Sequence, residues 1–558
     1  MKSNYDIAIF GGGLAGLTLA LQTRKENPEA SIIVMERRDG DAPEAAHKVG
    51  ESTVELGTHY IREILDLKDY MDEHQLPKHG LRFFFSPQYK NDISKRVELG
   101  PRNLLPVPSH QIDRGSFENK LTELCIERGI DMKLGAKVSE VNLDKNGHTV
   151  TFIQNNTEHT FNTKWAVDST GRASLIKRKL GLKKEIEHQV CAAWFRIKGD
   201  LNVDEWSDNK AWSSFLEPGL RRLGTIHFMD KGYWVWLIPL ATGNTSVGIV
   251  ADPAVHPFET YNKLDKALDW LKINEPVCYD NIEPRKGDIL DFRVLKHFAL
   301  NTEKLYSEDR WAVSGESGVF LDPFYSPGTD FISMSNTFIT DLIKRDLAGE
   351  DVSLQTMVYE KTLFAIFNNW VPIYQNKYPL WGSTQTMVLK IFWDWAIYWS
   401  VPTLIFTNEL LTNLMVLKNL FSQEDGAGQR FGRLNNRFQT LLTEWVKYDT
   451  EPFSEIYIDP FDISYLREFH IGLDERYSPR ELVAKINDNM TKLEEIASQV
   501  FRLMSQKVYG TDMNLKVDPY TMSLEQKPES IENGVIARSD IAEDVVKMWF
   551  YKHETVEA

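Results

Sequence analysis

The chain has 558 residues, of which 42% are hydrophobic and 26% charged, and carries a formal net charge of −16. That length accommodates roughly three or four average domains around a large core, and the acidic balance excludes a protein that tracks nucleic-acid phosphates. Cys125, Cys191 and Cys278 lie far apart without C-x-x-C spacing, and the thirteen histidines form no H-x-x-x-H pair, so neither a disulfide frame nor a metal site is expected and the setting is reducing and cytoplasmic.

The first element is a short apolar strand, Ile7 to Phe10, which breaks into Gly11, Gly13 and Gly16 in the order G-x-G-x-x-G. A helix over Leu17 to Thr23 follows, then a second apolar strand, Ile32 to Met35, ending at Glu36. Gly11 permits the tight turn, Gly13 lets a pyrophosphate approach the backbone, and Gly16 lets helix and strand pack closely. Leu14 and Ala15 complete the turn, where free helix N–H groups face phosphates. Glu36, about 20 residues past Gly16, stands where a carboxylate accepts bonds from ribose hydroxyls, with Arg37 beside it. The unit predicts adenine-dinucleotide binding. Its apolar run is too short for a secretory signal.

Arg37 to Ala46 reads as a polar loop, and HKVGEST (His47 to Thr53) as a small-residue segment passing close to a ligand. A helix is predicted over Val54 to Tyr70. Pro77 and Gly80 then bracket a turn before a strand bearing three consecutive Phe, which puts Lys78 at the entry to a buried strand. The next elements are a helix (Arg114 to Arg128), a strand (Lys137 to Val141), a hairpin (Thr149 to Phe152 with Thr160 to Phe161), and a strand ending at Asp168 with a turn at Gly171. Alternating apolar runs between Val190 and Val250 predict an antiparallel sheet. A helix over Pro257 to Ile273, a strand over Trp311 to Ser314 and a long helix over Ile332 to Leu347 complete this part.

Beyond about residue 350 helical spacing dominates and strand signals are few. Ile391 to Leu420 is the most membrane-like segment, but Asp394, Pro402 and Glu409 interrupt it, which fits a buried helix pair better than a span. Gln506 to Asn533 reads as a loop or partner contact. The expected fold class is α/β with a mostly helical C-terminal domain. Residues 1–345 form the core and 346–558 the helical part.

Three motifs in order, GGGLAG, VDSTG and GESGVFLDPFYSPG, resemble the flavin monooxygenase superfamily. That resemblance implies a Rossmann-like, GR2-type FAD-binding domain from about 1–75, 110–185 and 290–345, interleaved with a substrate sheet from about 76–109 and 186–289. It assigns Gly315 and Glu316 to the FAD ribityl chain, although the superfamily usually has Asp where Glu316 stands. Two further motifs, W-x-W-x-I-P at Trp234 to Pro239 and F-x-x-P-x-x-S-x-G at Phe320 to Gly328, resemble the flavin-dependent halogenases. The plain reading of the Trp pair is a strand with both indoles on one face; the resemblance makes Trp234 and Trp236 a shield on the flavin.

The resemblance further implies that reduced FAD, oxygen and halide give hypohalous acid, and that a lysine following the Gly50-Glu51 pair passes the halogen to an electron-rich aromatic substrate: phenol, pyrrole or indole. Lys78 fits that position; its plain alternative is a solvated turn lysine. Lys48, Glu51, Ser52, Asp168, Gly171, Pro323 and Gly328 fall among the implied cofactor contacts. Pro327 has no N–H to offer halide, so the expected halide donors move to Gly328 and Thr329 at a helix start. Tyr325 stands where tryptophan-type members carry Glu. Asp330 reads either as a substitute base or as an ordinary N-terminal helix acid. With no second G-x-G-x-x-G unit, a separate flavin reductase is the expected source of reduced FAD. A homo-oligomer is compatible with the sequence. The competing expectations are an aromatic hydroxylase of the same fold and a flavoprotein without halogenation chemistry. An interior passage lined by the two indoles is expected to join the flavin to Lys78.

Overall fold

The computed structural model describes residues 2–43, 50–85, 87–421, 425–450 and 457–549. Lys48 lies outside the described residues.

Two sheets organise the first part of the chain. The first runs in the order Tyr306–Ser307, Trp311–Val313, Thr157–Asp168, Asn4–Phe10, Ile32–Glu36, Asp131–Leu134. Its four pairings from Trp311–Val313 to Asp131–Leu134 are parallel, and the central strands are near-continuous apolar runs because both faces are covered. Register fixes what emerges at its edge: Phe10 pairs with Met35 and Asp168, and Asp168 pairs with Val313. The chain segments at Gly11, Ser169 and Ser314 therefore leave the sheet side by side, as ligand-binding crevices of open α/β sheets require.

The second sheet is mostly antiparallel, ordered Arg293–Leu295, Cys191–Lys198, Asn244–Ala251, Tyr233–Pro239, Thr225–Asp230, Leu81–Phe84, Glu98–Leu99, Tyr457–Ile458. Period-2 alternation splits the Tyr233–Pro239 strand between two cores. Trp234 and Trp236 face the core shared with the first sheet, while Val235 and Leu237 face a second core under the Leu264–Asn274 helix.

Several elements depart from their sequence reading. The predicted Val54 to Tyr70 helix is an α-turn (Glu55–His59) running into a π-turn (Tyr60–Ile64), and a separate helix follows at Lys68–His74. The break falls at Asp66, whose φ is +57°. Asp131–Leu134 is an additional strand, and the predicted hairpin arm at Thr160 is the middle of the long Thr157–Asp168 strand. The helix expected from Ile332 begins four residues earlier, at Gly328. The predicted Pro257 helix is a short turn, Phe258–Thr260, and then Leu264–Asn274.

The C-terminal region is mostly helical, led by Ser353–Tyr374, Thr384–Tyr398, Ala427–Trp445 and Pro479–Tyr509. It is continuous with the rest: Tyr457–Ile458 adds the last strand to the second sheet. The segment from Ile391 is buried helix interrupted by a π-turn at Trp399–Thr403, and no helix among the described residues is long and apolar enough to cross a membrane. Gln506 lies inside the Pro479–Tyr509 helix, and the loop after it packs Leu515, Val517, Met522 and Leu524 inward. The three cysteines are free and buried.

Candidate active site

Three separated glycine motifs meet at the sheet edge. Gly11 has φ +100°, and a Cβ there would lie 2.5 Å from the Ser169 carbonyl oxygen; one on Gly16 would lie 2.0 Å from the Gly11 carbonyl oxygen. The Leu14–Glu26 helix starts after Gly13 with no side-chain cap, which leaves first-turn N–H groups such as those of Leu14 and Ala15 facing outward. Gly315 (φ +61°) abuts Ala15, where an added Cβ would stand 3.0 Å from the alanine methyl. The late motif therefore touches the first. Glu36 closes one side: its Oε2 accepts from the Gly12 N–H at 2.7 Å and its Oε1 from the Arg38 N–H at 2.8 Å. Arg37 is exposed beside it. Glu316 is partly exposed and lies 3.4 Å from the Arg172 guanidinium.

Asp168 has another task. It is fully buried and accepts from the Thr170 N–H and hydroxyl, the Ile176 N–H and the Ser317 hydroxyl. It ties the Gly171 turn, with φ +63° at Gly171, to the Gly315–Ser317 turn. Its carboxylate shapes the crevice from behind.

Two cavities follow on from this crevice, separated by the segment Tyr325 to Asp330 and by Gly50 to Glu55. Gly50, Glu51, Ser52, Pro323, Ser326, Gly328 and Thr329 border the first cavity, together with Trp234, Trp236 and His227. The backbone N–H groups of Gly328 and Thr329 open the Gly328–Leu347 helix, whose N-terminal flank is Pro327 with no capping side chain; first-turn N–H groups have no intrahelical acceptor. The indole nitrogens are tethered, Trp234 to the Tyr378 hydroxyl at 3.2 Å and Trp236 to the Ser246 hydroxyl at 3.1 Å. Tyr378 in turn donates to Asp322 Oδ2 at 2.7 Å. Gly248 allows Trp236 its place, since a Cβ there would stand 2.1 Å from the indole. His227 stacks between Phe83 and Trp234 and is held neutral, its pKa pulled down to about 3 by burial. Glu51 is buried against Arg196, with oxygen to nitrogen at 2.5 Å, and burial pushes its carboxyl upward even so.

The second cavity, about 680 Å³ counting its open mouth, holds Lys78. The side chain is 2% exposed and Nζ donates to the Thr53 carbonyl at 2.7 Å. Burial pulls its pKa down to about 7, while the charges of Glu55 and Asp330 pull the other way. Val54, Tyr325, Pro327 and Asp330 border this side of the partition, and Trp370, Trp395, Tyr398, Trp399 and Phe461 of the C-terminal region close the far wall. Tyr325 (φ +69°) and Ser326 (φ +59°) are consecutive left-handed residues, a strain of about 1–3 kcal/mol each that surrounding contacts must hold. The Tyr325 hydroxyl donates to Asp394 at 2.9 Å, and Asp394 also pairs with the fully buried Lys390 at 2.7 Å. The two indoles border only the first cavity, so they do not line a common passage to Lys78. Asp394, Tyr398 and Trp399 carry no motif, and only their helical spacing places them on inward faces.

The FAD binding domain family matches residues 4–246. A flavin-dependent halogenase of Dictyostelium discoideum is 26% identical over 495 residues, covering 79% of this chain and 80% of the relative. A 1H-pyrrole-2-carbonyl-(peptidyl-carrier protein) brominase of Pseudoalteromonas luteoviolacea is 26% identical over 379 residues, covering 66% of this chain and 82% of the relative. The solved structure of halogenase PltM with phloroglucinol and FAD shares the fold at a TM-score of 0.62 and 14% identity, over 87% of this chain and 96% of that one. The glycine cradle, which added Cβ atoms would fill, and the uncapped helix start fit an FAD diphosphate. The chain is an enzyme of the FAD-dependent oxidoreductase type, with FAD as its cofactor. Relatives similar to it include flavin-dependent halogenases of Dictyostelium discoideum and Armillaria mellea.

Proposed function

We propose that this enzyme halogenates an electron-rich small aromatic, a phenol, pyrrole or indole, by way of Lys78. The observation that carries the reading is the buried amine on the wall of an aromatic cavity, one chain segment away from the flavin-side cavity. Bound FAD, once reduced by a separate reductase and exposed to oxygen, supplies the oxidising power that turns halide into hypohalous acid. The protein's own groups do the rest. Gly328 and Thr329 hold the halide through helix-start N–H groups. Trp234 and Trp236 wall off the first cavity, so the aromatic substrate is confined to the second. Lys78 receives the hypohalous acid there, by donating a hydrogen bond to it or by forming a haloamine through its free lone pair. A pKa drawn down by burial makes that lone pair accessible near neutral pH. Enclosure keeps the oxidant from bulk water and from indiscriminate reaction.

The test supplies reduced FAD, oxygen, a panel of phenols, pyrroles and indoles, and chloride, bromide or iodide in turn, with products read by mass spectrometry. The expected product gains one halogen in place of hydrogen, and only when halide is present. A product gaining oxygen regardless of halide would make the enzyme a hydroxylase instead.

A further inference from the structure

Asp330 has no task in the reaction just proposed, and its surroundings differ from those of an ordinary acid in a first helical turn. Such an acid lies at the surface and faces its own helix's free N–H groups. Asp330 is 3% exposed and is turned away from its helix: Oδ1 accepts from the Gly57 N–H at 2.9 Å and Oδ2 from the Tyr398 hydroxyl at 2.9 Å. It borders the same cavity as Lys78. An ionised carboxylate has about four acceptor sites, so each oxygen retains room for a substrate donor. Tyr398 is itself fixed, because its oxygen accepts from the Leu56 N–H at 3.2 Å. Glu55, the acid closest in kind, is engaged by His470 at 3.3 Å; burial pushes its carboxyl upward, but the His470 hydrogen bond and charge outweigh this and hold it low. Trp399 borders the cavity, and its buried indole N–H has no acceptor among the described residues. A ligand that satisfies this end of the cavity brings a hydroxyl to donate and an oxygen to accept.

We propose that Asp330 is the catalytic base of this cavity, taking the hydroxyl proton of a phenol held beside Lys78. The inference rests on the reading of Lys78 given above. The phenol O–H bond breaks, its proton passes to a carboxylate oxygen of Asp330, and the electron pair stays on the phenolate oxygen. The ring carbon ortho or para to it then takes the halogen from hypohalous acid as the oxygen–halogen bond breaks. The hydroxide released takes the proton from Asp330 and leaves as water. The regenerated carboxylate accepts the ring C–H proton and returns it to the oxygen, restoring a phenol. Burial raises the Asp330 carboxyl to about 8; the Tyr398 and Gly57 hydrogen bonds and the Lys78 charge act against that rise, and Glu55 adds to it. Proton transfer to such a base from a phenol near 10 is less uphill than to an ordinary carboxylate near 4.

The experiment compares the wild-type chain with Asp330→Asn on phenols whose own pKa values run from well above to well below the assay pH. FAD binding and oxygen consumption by reduced FAD serve as checks of the fold. Asp330→Asn is expected to lose about 100-fold on neutral phenols and to approach the wild-type rate on phenols already ionised. An equal loss across the series, or no loss, overturns the inference. Tyr398→Phe, which deletes one hydrogen bond that stabilises the carboxylate, is expected to move the ascending, acidic limb of the rate profile to higher pH; a lower rate with an unmoved limb counts against it. Halogenated indoles or pyrroles with no phenol product would overturn this inference and leave the proposed function standing. No halogenated product of any class would overturn both.

Discussion

The two sides of the Tyr325–Asp330 segment are made of different materials. Backbone N–H groups, glycines and two tethered indoles make the flavin side, all drawn from the first 330 residues. The lysine side is made of an amine, three buried acids and a wall of aromatic rings, many of them from helices beyond residue 350. On the proposed function, making an oxidant needs fixed dipoles and an excluded substrate, and a few short motifs would supply both. Choosing a substrate needs shape and paired polar groups, and these come from the part of the chain without motifs. A division of labour follows, and substitutions should affect one side or the other.

The largest effect is expected from Lys390→Met. It leaves Asp394 buried without its ion-pair partner, which costs about 3–5 kcal/mol and should appear as a clear drop in the denaturant midpoint. Adding Asp394→Asn should recover most of that loss; if it does not, Lys390 is needed for more than its partner. Gly248→Ala places a methyl group against Trp236. Overpacking of that kind costs about 1–3 kcal/mol, and thermal unfolding should show it together with weaker FAD binding and an unaltered lysine side.

Smaller effects separate the two cavities functionally. Thr329→Pro removes one N–H in a first helical turn, where proline is tolerated. The half-saturating halide concentration should rise about tenfold, equivalent to about 1.4 kcal/mol, with the aromatic substrate's KM unchanged. Finally, the ratio of halogenated product to oxygen consumed should rise severalfold as pH passes upward through about 7. The sign follows from burial: the Lys78 pKa lies below that of an ordinary lysine, so the ammonium predominates below that pH and the free amine above it. Oxygen consumption alone should not follow the same curve. A flat ratio would mean that the free amine is not required.

How much of this was legible in the sequence follows the same division. The strand–glycine–helix–strand unit was readable because each glycine answers to a backbone approach that no other residue allows; Gly11 and Gly16 show those approaches directly. The Trp pair was readable because period 2 puts both indoles on one face. Helix limits were less so. The long helix reads as continuous only from Ile332 because Ser-Pro-Gly-Thr looks like a loop, although Gly328 and Thr329 are expected at a helix start; Pro327 is the flank of that helix. The lysine-side wall was not legible at all: Tyr398 and Trp399 sit where a helix passes into a π-turn, and the partners of Tyr398, Asp330 and Leu56, are 68 and 342 positions away. The second sheet likewise takes a strand from Tyr457–Ile458, which no local pattern separates from the loops around it.

On the proposed function, an oxidant formed on one side of the partition is used on the other through a single amine. Lys78→Ala tests it most directly, with oxygen consumption and halogenated product measured in the same reaction. Oxygen is expected to be consumed still at close to the wild-type rate while halogenated product disappears. Halogenated product formed at the wild-type rate by the alanine variant would contradict it.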